Sequence, residues 1–376
     1  MTTLSGIRII ELAGIGPAPF AGMMLADHGA EVIRIDRPGS PDDRSDVLRR
    51  GRKSIALDLK RPESITIVRD LARSADGVIE GFRPGVMERL GLGPDVLLAD
   101  NPRLAYGRMT GWGQTGPLSA LAGHDINYAA ISGVLGAIGR AGEAPVPPLN
   151  LVADFGGGGM LMAFAMTAAI LHARGGGTGQ VIDCAMTEGA SLLMAMIWGF
   201  RASGRWHDDR GANLLDTGAP FYEVYACSDG GHVALGSIEP QFYAALRAKL
   251  GLGEDAAFDA QFDRARWPVL KARLAALFAT RTRAEWEEVF AGADLCFAPV
   301  LTFAEAPVHP HAVARGSFVA PGGVTQPAPA PRFSVTPAPL PKAPRLPGAD
   351  AAALLRSIGY DDARIAALTA EKVIGA

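Results

Sequence analysis

Residues 8–36 read RIIELAGIGPAPFAGMMLADHGAEVIRID, and this stretch decides the fold. Arg8–Ala13 (RIIELA) and Glu31–Asp36 (EVIRID) are short apolar runs rich in isoleucine, bounded by glycine, proline and charge, and each reads as a strand. Phe20–His28 between them has the spacing of a helix. A strand, a helix and a second strand in so few residues form a crossover unit, which places the two strands parallel and is right-handed because of strand twist. The turn after the first strand is Gly14-Ile15-Gly16-Pro17-Ala18-Pro19. It departs from the G-x-G-x-x-G fingerprint, since two prolines restrict it and the third glycine is missing, so dinucleotide binding is not expected.

The pattern repeats outward from this unit. Ser54–Leu59 (SIALDL), Gly77–Gly81 (GVIEG), Leu104–Met109 (LAYGRM) and Gln180–Cys184 (QVIDC) read as further strands, and Glu63–Arg73 as a helix. The expectation is an α/β fold: a Rossmann-like open parallel sheet with helices on both faces. Phe155–Leu171, FGGGGMLMAFAMTAAIL, is uncharged but shorter than the roughly 20 residues of a membrane span, and it opens on four glycines, so it is expected to be a buried core helix. Further on, Tyr222–Ala226, the turn Ser228–Gly231 and His232–Leu235 carry a hairpin signal. An amphipathic helix follows over Glu239–Leu250, a capping box begins at Thr282, and Leu295–Leu301 resembles a strand. This predicts a smaller α+β domain. Nine prolines between Pro321 and Pro347 predict an extended arm, and Ala351–Ile358 and Asp361–Val373 two short helices. The organisation expected is a large α/β domain over 1–195, a linker over 196–218, a small domain over 219–310, and a return segment over 311–376 packing on the large domain.

Composition narrows the function. The 376 residues carry 36 basic and 39 acidic side chains, a net charge of −3, which offers no long-range attraction for nucleic acid or an anionic membrane. Neither a nucleic-acid partner nor a membrane span is expected. Cys184, Cys227 and Cys296 match no metal or redox spacing and are expected as buried, reduced thiols. With no signal pattern in MTTLSGIRII and no peroxisomal address in KVIGA, a cytoplasmic location is expected.

Three segments carry candidate chemistry. Gly111-Trp112-Gly113-Gln114-Thr115-Gly116-Pro117 follows a strand, and its glycines mark either a tight turn or a place where backbone approaches something closely. Gly123-His124-Asp125-Ile126-Asn127-Tyr128 sets a histidine beside an acid and an amide. His124 is then either a satisfied structural residue or a catalyst. Asp154, after a mostly apolar run and before Gly156–Gly159, is either a helix N-cap or a positioned carboxylate. Arg37, Lys60 and Arg83 follow strand ends, with Arg89 a turn beyond, and open parallel sheets bind ligands at the carboxyl ends of their strands. Those cations suit phosphate groups, and the run Arg49-Arg50-Gly51-Arg52-Lys53 could extend the same patch.

Together these residues resemble the α-methylacyl-CoA racemases, within the family III CoA-transferase superfamily. The resemblance lies in ELAGIGPAP, EVIRIDRP, ALDLK, GFRPGVMERLGLG, RMTGWGQTGP, GHDINY, PVPPLNLVADFGGGG, GQVIDCAM, RGANLLDTGAPFYEVY and IEPQFYAAL, in order over nearly the whole chain. It implies that His124 and Asp154 are the two acid/base residues and that Glu239 pairs with His124. It implies an acyl-CoA thioester substrate, with CoA lying against Arg37, Leu57, Asp58, Leu59, Lys60, Gly81, Phe82, Arg83, Arg89, Gly123, His124, Asp125, Ile126, Asn127 and Tyr128. It further implies an interlocked homodimer and no metal or redox cofactor.

The implied reaction interconverts (2R)- and (2S)-2-methylacyl-CoA through an enolate, which needs one base on each face of the carbon. A gap on the order of ten pKa units between the α-proton and imidazolium is roughly 14 kcal/mol. General base catalysis supplies about 10²–10⁴-fold, so most of the barrier falls to hydrogen-bond donors on the enolate oxygen, for which the backbone around Asp125 is the natural place. The alternative on the same fold is a CoA-transferase in which Asp154 attacks the thioester as a nucleophile.

Overall fold

β1 (Arg8–Leu12), α1 (Pro17–Asp27) and β2 (Glu31–Asp36) form the first crossover unit in the computed structural model, which describes residues 1–375. The two strands pair parallel, with Ile9 opposite Val32 and Glu11 opposite Arg34. α1 starts three residues earlier than the apolar spacing suggests, because Pro17 occupies a first-turn position where a missing N–H costs nothing.

The chain continues through β3 (Lys53–Leu57), α2 (Pro62–Arg73), β4 (Gly77–Glu80), α3 (Val86–Arg89), α4 (Pro94–Asp100) and β5 (Ala105–Thr110). α5 (Asp125–Ile131) and α6 (Val134–Ala137) follow, then a π-helix over Leu151–Met160 that runs on into α7 (Leu161–Arg174). Next come β6 (Gln180–Ala185), α8 (Met186–Leu193), α9 (Ala195–Ala202), β7 (Tyr222–Ala226), β8 (His232–Gly236) and α10 (Pro240–Lys249). α11 (Trp267–Phe278), α12 (Arg283–Phe290), β9 (Phe297–Pro299) and α13 (Pro310–Arg315) follow. The last elements are the short pair β10 (Phe318–Val319) and β11 (Gln326–Pro327), then α14 (Ala351–Ser357), α15 (Asp362–Ala370) and β12 (Ile374–Gly375).

The main sheet has seven strands in the order β12-β3-β2-β1-β4-β5-β6. Every neighbouring pair is parallel except β12, which runs antiparallel to β3 and covers that edge. Both faces carry helices. Ile10, Leu12, Ile33, Ile35, Ile55, Val78 and Tyr106 pack with Ile67 and Leu71 of α2, Leu354 and Leu355 of α14, and Ile365 and Leu368 of α15. On the other face Gly77 and Gly107 leave room for the Met162 and Met166 side chains of α7.

The chain divides into two compact units. One comprises 1–132, 149–193 and 311–376, and the other 133–148 and 194–310. The second unit holds the antiparallel sheet β7-β8-β9 and a core that includes Phe221, Tyr225, Trp267, Phe278 and Trp286. Residues 196–202, the start of the expected linker, lie in α9, and Gly133–Pro148 belongs to the second unit. No sequence signal in that short glycine- and proline-rich segment ties it to partners so far along the chain. One such tie is Arg140, which pairs with the buried Glu223 at 2.9 Å.

The expected buried helix is longer than its apolar run and only half buried. Leu151–Arg174 is one continuous helical stretch, long and apolar enough by length and composition to cross a membrane, with 44% of its most apolar window buried in the protein. Ala153, Gly157–Gly159, Met162 and Met166 face inward, whereas Met160, Phe164 and Leu171 are exposed. Its wide first turns pack against α1, α5 and α8, and the glycine run explains how. A β-carbon on Gly157 would lie 2.5 Å from the Ala190 nitrogen, and one on Gly189 would lie 1.9 Å from the Gly157 carbonyl oxygen. The two helices meet backbone to backbone.

The face of β1 turned to α1 is ionic. Glu11, fully buried, accepts Arg52 Nε at 3.0 Å and pairs with Arg34, which also reaches Asp36 at 2.9 Å. Arg50 pairs with Asp27, and Arg49 stands 3.8 Å from Asp36. Arg49, Arg50 and Arg52 are therefore buried structural cations rather than an extension of a phosphate-binding patch. Three carboxylates along β1, β2 and α1 draw them inward, because a buried cation persists only when paired.

Two stability outcomes follow from this packing. Gly189→Ala is expected to destabilise by about 1–3 kcal/mol through overpacking, whereas Gly199→Ala in α9, with open space at its β-carbon, is neutral or slightly stabilising in urea unfolding. Glu11→Gln, which leaves Arg34 and Arg52 short of their shared carboxylate, costs about 3–5 kcal/mol by the same measurement.

Candidate active site

In the strand order β3-β2-β1-β4-β5 the chain winds outward from β1, then crosses back to β4. The crevice beyond the carboxyl ends of β1 and β4 is the position where open parallel sheets hold ligands. Gly16, four residues past the end of β1, lies there with φ +69°, and a β-carbon on it would stand 3.3 Å from Asp154 Oδ2. Asp154 therefore reaches the switch point of the sheet.

Asp154 is not the helix cap. Asn150 precedes the π-helix, and Asp154 lies within its first turn. Its own N–H and that of Ala153 donate to Asp125 Oδ1, at 2.7 and 2.9 Å. Asn150 Nδ2 donates to Asp154 Oδ2 at 3.4 Å. Phe155 stacks on Phe20 of α1, with ring centroids 4.6 Å apart. The side chain is half-buried. Burial raises its pKa above the ordinary aspartate range; the Asn150 hydrogen bond opposes this, the Asp125 charge adds to it, and His124 acts in the lowering direction.

His124 is the residue that caps α5, with extended backbone and an exposed side chain. Its N–H donates to Asn127 Oδ1 at 3.0 Å, and its carbonyl accepts the Asn127 N–H at 2.8 Å. Because it stands at the helix start, the first N–H groups of α5 have no intrahelical acceptor. Asp125, one residue on, is buried at 5% exposure.

Of the glycines in the Gly111–Pro117 loop, Gly111 makes room for a neighbour within the protein. A β-carbon on Gly111 would fall 2.1 Å from the Tyr128 ring, and one on Gly123 would meet both Tyr128 and Trp112. The Tyr128 hydroxyl donates to the Gly123 carbonyl, and its ring meets Trp112 edge-on at 4.8 Å. Burial raises the Tyr128 pKa, Asp154 adds to this, and Arg83 opposes it. Arg83 thus carries the β4 loop into the same electrostatic environment.

Arg37, Lys60, Arg83 and Arg89 are exposed and follow the carboxyl ends of β2, β3 and β4. Leu57 is buried at the end of β3, opposite Ile374 in the sheet, with Asp58 and Leu59 partly exposed beyond it. Gly81 is exposed and Phe82 partly buried; the Phe82 N–H donates to the Glu80 carboxylate at 2.7 Å. Ile126 and Asn127 are exposed on the first turn of α5. Glu239 belongs to the second unit, where it precedes Pro240 as the cap of α10. The thiols divide: Cys184 and Cys227 are buried, but Cys296 is exposed, with φ +57°. An apolar sequence context does not bury a residue held in such a turn.

Two cavities of roughly 330 and 370 Å³ lie elsewhere, one beside Arg73, Asn101 and Arg174 and one beside Tyr222 and Cys296. Arg73 and Arg174 of the first are already engaged by Asp70, Asp76 and Asp100, and neither cavity is lined by His124 or Asp154. Sequence reasoning passed over Asn150 and the side-chain role of Asp125. Asn150 was signalled only as a polar residue in a mostly apolar run, and Asp125 only as an acid next to His124.

Residues 4–351 match CoA-transferase family III. The chain is 48% identical to the alpha-methylacyl-CoA racemase of Mus musculus, covering 99% of this chain and 97% of that protein. It is 46% identical to the alpha-methylacyl-CoA racemase of Homo sapiens over the same shares. Among solved structures, a CAIB/BAIF family protein from Brucella suis superposes with a TM-score of 0.81 at 28% identity, covering 95% of this chain and 99% of that one.

The raised pKa has a direct test. The Asp154 carboxyl is expected to titrate above the ordinary aspartate range in carbon-13 NMR of the folded protein, with the resonance assigned by its loss in Asp154→Asn. A midpoint at or below the ordinary value would contradict the burial argument.

Proposed function

This chain belongs to CoA-transferase family III, and from that premise we propose that it racemises 2-methylacyl-CoA thioesters at C2 by 1,1-proton transfer. The near-full-length match to two racemases carries the reading. The half-buried carboxyl of Asp154, within electrostatic reach of His124, supports it chemically.

In this reading one of His124 and Asp154 removes the α-proton, the enolate forms, and the other returns a proton to the opposite face. Only a proton moves, so the chemistry requires no redox group. A carboxyl held above its ordinary pKa is a stronger base when ionised, and its proton is available closer to neutral pH. N–H groups at the start of α5 are donors for the enolate oxygen. Arg37, Lys60, Arg83 and Arg89, at the strand ends, hold the CoA phosphates, with Leu57–Lys60, Gly81–Arg83 and Gly123–Tyr128 along the rest of the CoA portion of the substrate. Glu239 pairs with His124 in a homodimer in which the two residues come from different copies. Exposed apolar side chains on α9, Met196 and Trp198, are consistent with a surface that another copy covers.

The family name makes nucleophilic attack by Asp154 the competing reading. The reactions separate on His124, which proton exchange needs and acyl transfer to Asp154 does not. Wild-type protein in D₂O is expected to incorporate deuterium at C2 of a 2-methylacyl-CoA from either stereoisomer. His124→Ala and Asp154→Ala should each lose at least about 10²-fold of that exchange. Transfer of CoA to a free carboxylate, retained in His124→Ala and without C2 exchange, would replace the racemase by the transferase.

A further inference from the structure

Asp125 is followed by a helical turn of its own, yet its side chain serves a different segment. Oδ1 accepts two consecutive backbone N–H groups, those of Ala153 and Asp154. Oδ2 is buried and has no hydrogen-bond partner among the described residues. A buried carboxylate oxygen left unpaired is costly unless something is gained from it. Here the charge lies beside the Asp154 carboxyl.

We propose that Asp125 is a positioning residue for Asp154: its carboxylate clamps the backbone that carries the Asp154 side chain at the switch point of the sheet, and its unpaired oxygen keeps a negative charge next to that side chain. The inference rests on Asp154 being an acid/base residue of the proposed racemase. Chemically, the clamp does two things. Two N–H bonds to one oxygen fix the entry of the π-helix, so that Asp154 meets its substrate without reorganising. The like charge disfavours ionisation of Asp154, in the same direction as its burial.

Few other groups act there. His124 and Tyr128 belong to α5 and its cap, and each interacts electrostatically with Asp154. The Asn150 amide opposes Asp125 from the Asp154 side. Among the packed elements, α1 carries Asp27, already paired with Arg50, and α8 carries Glu188. β6 carries Asp183, which accepts the Gln114 N–H at 3.0 Å.

Asp125→Asn keeps an oxygen for the two N–H groups and removes the charge, whereas Asp125→Ala removes both. In substrate-free, full-length protein the carbon-13 titration midpoint of Asp154 is expected to fall in Asp125→Asn. In the exchange assay the acid limb of the pH profile should move the same way, to lower pH. Asp125→Ala is expected to lose about 10²-fold in kcat with KM little changed, the scale of a catalytic group displaced by about 1 Å. If neither variant folds, hydrogen exchange in wild-type protein still decides, because the Ala153 and Asp154 amides bonded to the buried Asp125 oxygen are expected to exchange slowly. An unmoved Asp154 midpoint and pH profile in Asp125→Asn, or unprotected Ala153 and Asp154 amides in wild type, would overturn the proposal. Absence of C2 exchange in wild type with a shifted Asp154 midpoint in Asp125→Asn would instead refute the racemase and leave the clamp standing.

Discussion

The backbone contact between Gly157 and Gly189 is the constraint on which the site depends. One helix wound to π dimensions and a second starting directly after β6 approach until a carbonyl oxygen occupies the space of a β-carbon. Gly158 and Gly159 extend the same closeness to Pro17 and Phe20 of α1. With both sides of the π-helix held, its first turn has one place to be, beside Gly16 at the end of the first strand's loop. Asp154 reaches the crevice because four glycines behind it take no room.

The wide winding itself has a local cause and a local use. π-turns recur at functional sites because they displace a side chain from the register of an ordinary helix. Here the first backbone donors of the turn are not left to water: two of them go to Asp125, and the residue before the helix supplies an amide to the Asp154 side chain. The segment that opens α5 therefore presents His124 outward while turning Asp125 inward to the neighbouring helix. Adjacent residues with opposite orientations join two segments about thirty residues apart.

The other buried charges follow a simpler rule. Glu11 lies opposite Arg34 in the β1–β2 register, and Glu80 opposite Arg108 in the β4–β5 register. Parallel strands in register bring these side chains side by side, and each finds its counter-ion across one strand spacing. Arg52 completes the first cluster from the segment before β3. The arginines of the run 49–53 are thus spent on buried carboxylates, while Arg37, Lys60, Arg83 and Arg89, which follow strand ends, stay exposed. That leaves exposed positive residues at the carboxyl edge of the sheet, while the buried arginines of the interior are paired with carboxylates.

The strand runs, the crossover units and the parallel sheet were all legible in the sequence. Isoleucine- and valine-rich segments bounded by glycine and proline admit few other structures, and twist sets the hand of their connections. The hairpin at Ser228–Gly231 and the Thr282 cap were legible for the same reason, since each is a local pattern read within a few residues. His124 and Asp154 stood out as polar residues in motifs resembling a known family. Only the tertiary structure decided how the site is held. Periodicity does not distinguish a π-turn from an α-turn, and no local signal says that the Asp125 oxygen meets Ala153 and Asp154. Nor does spacing reveal which arginines are buried or that Cys296 is exposed. These are outcomes of packing between segments far apart in the chain, where the free energy depends on which atoms meet rather than on which residues are adjacent.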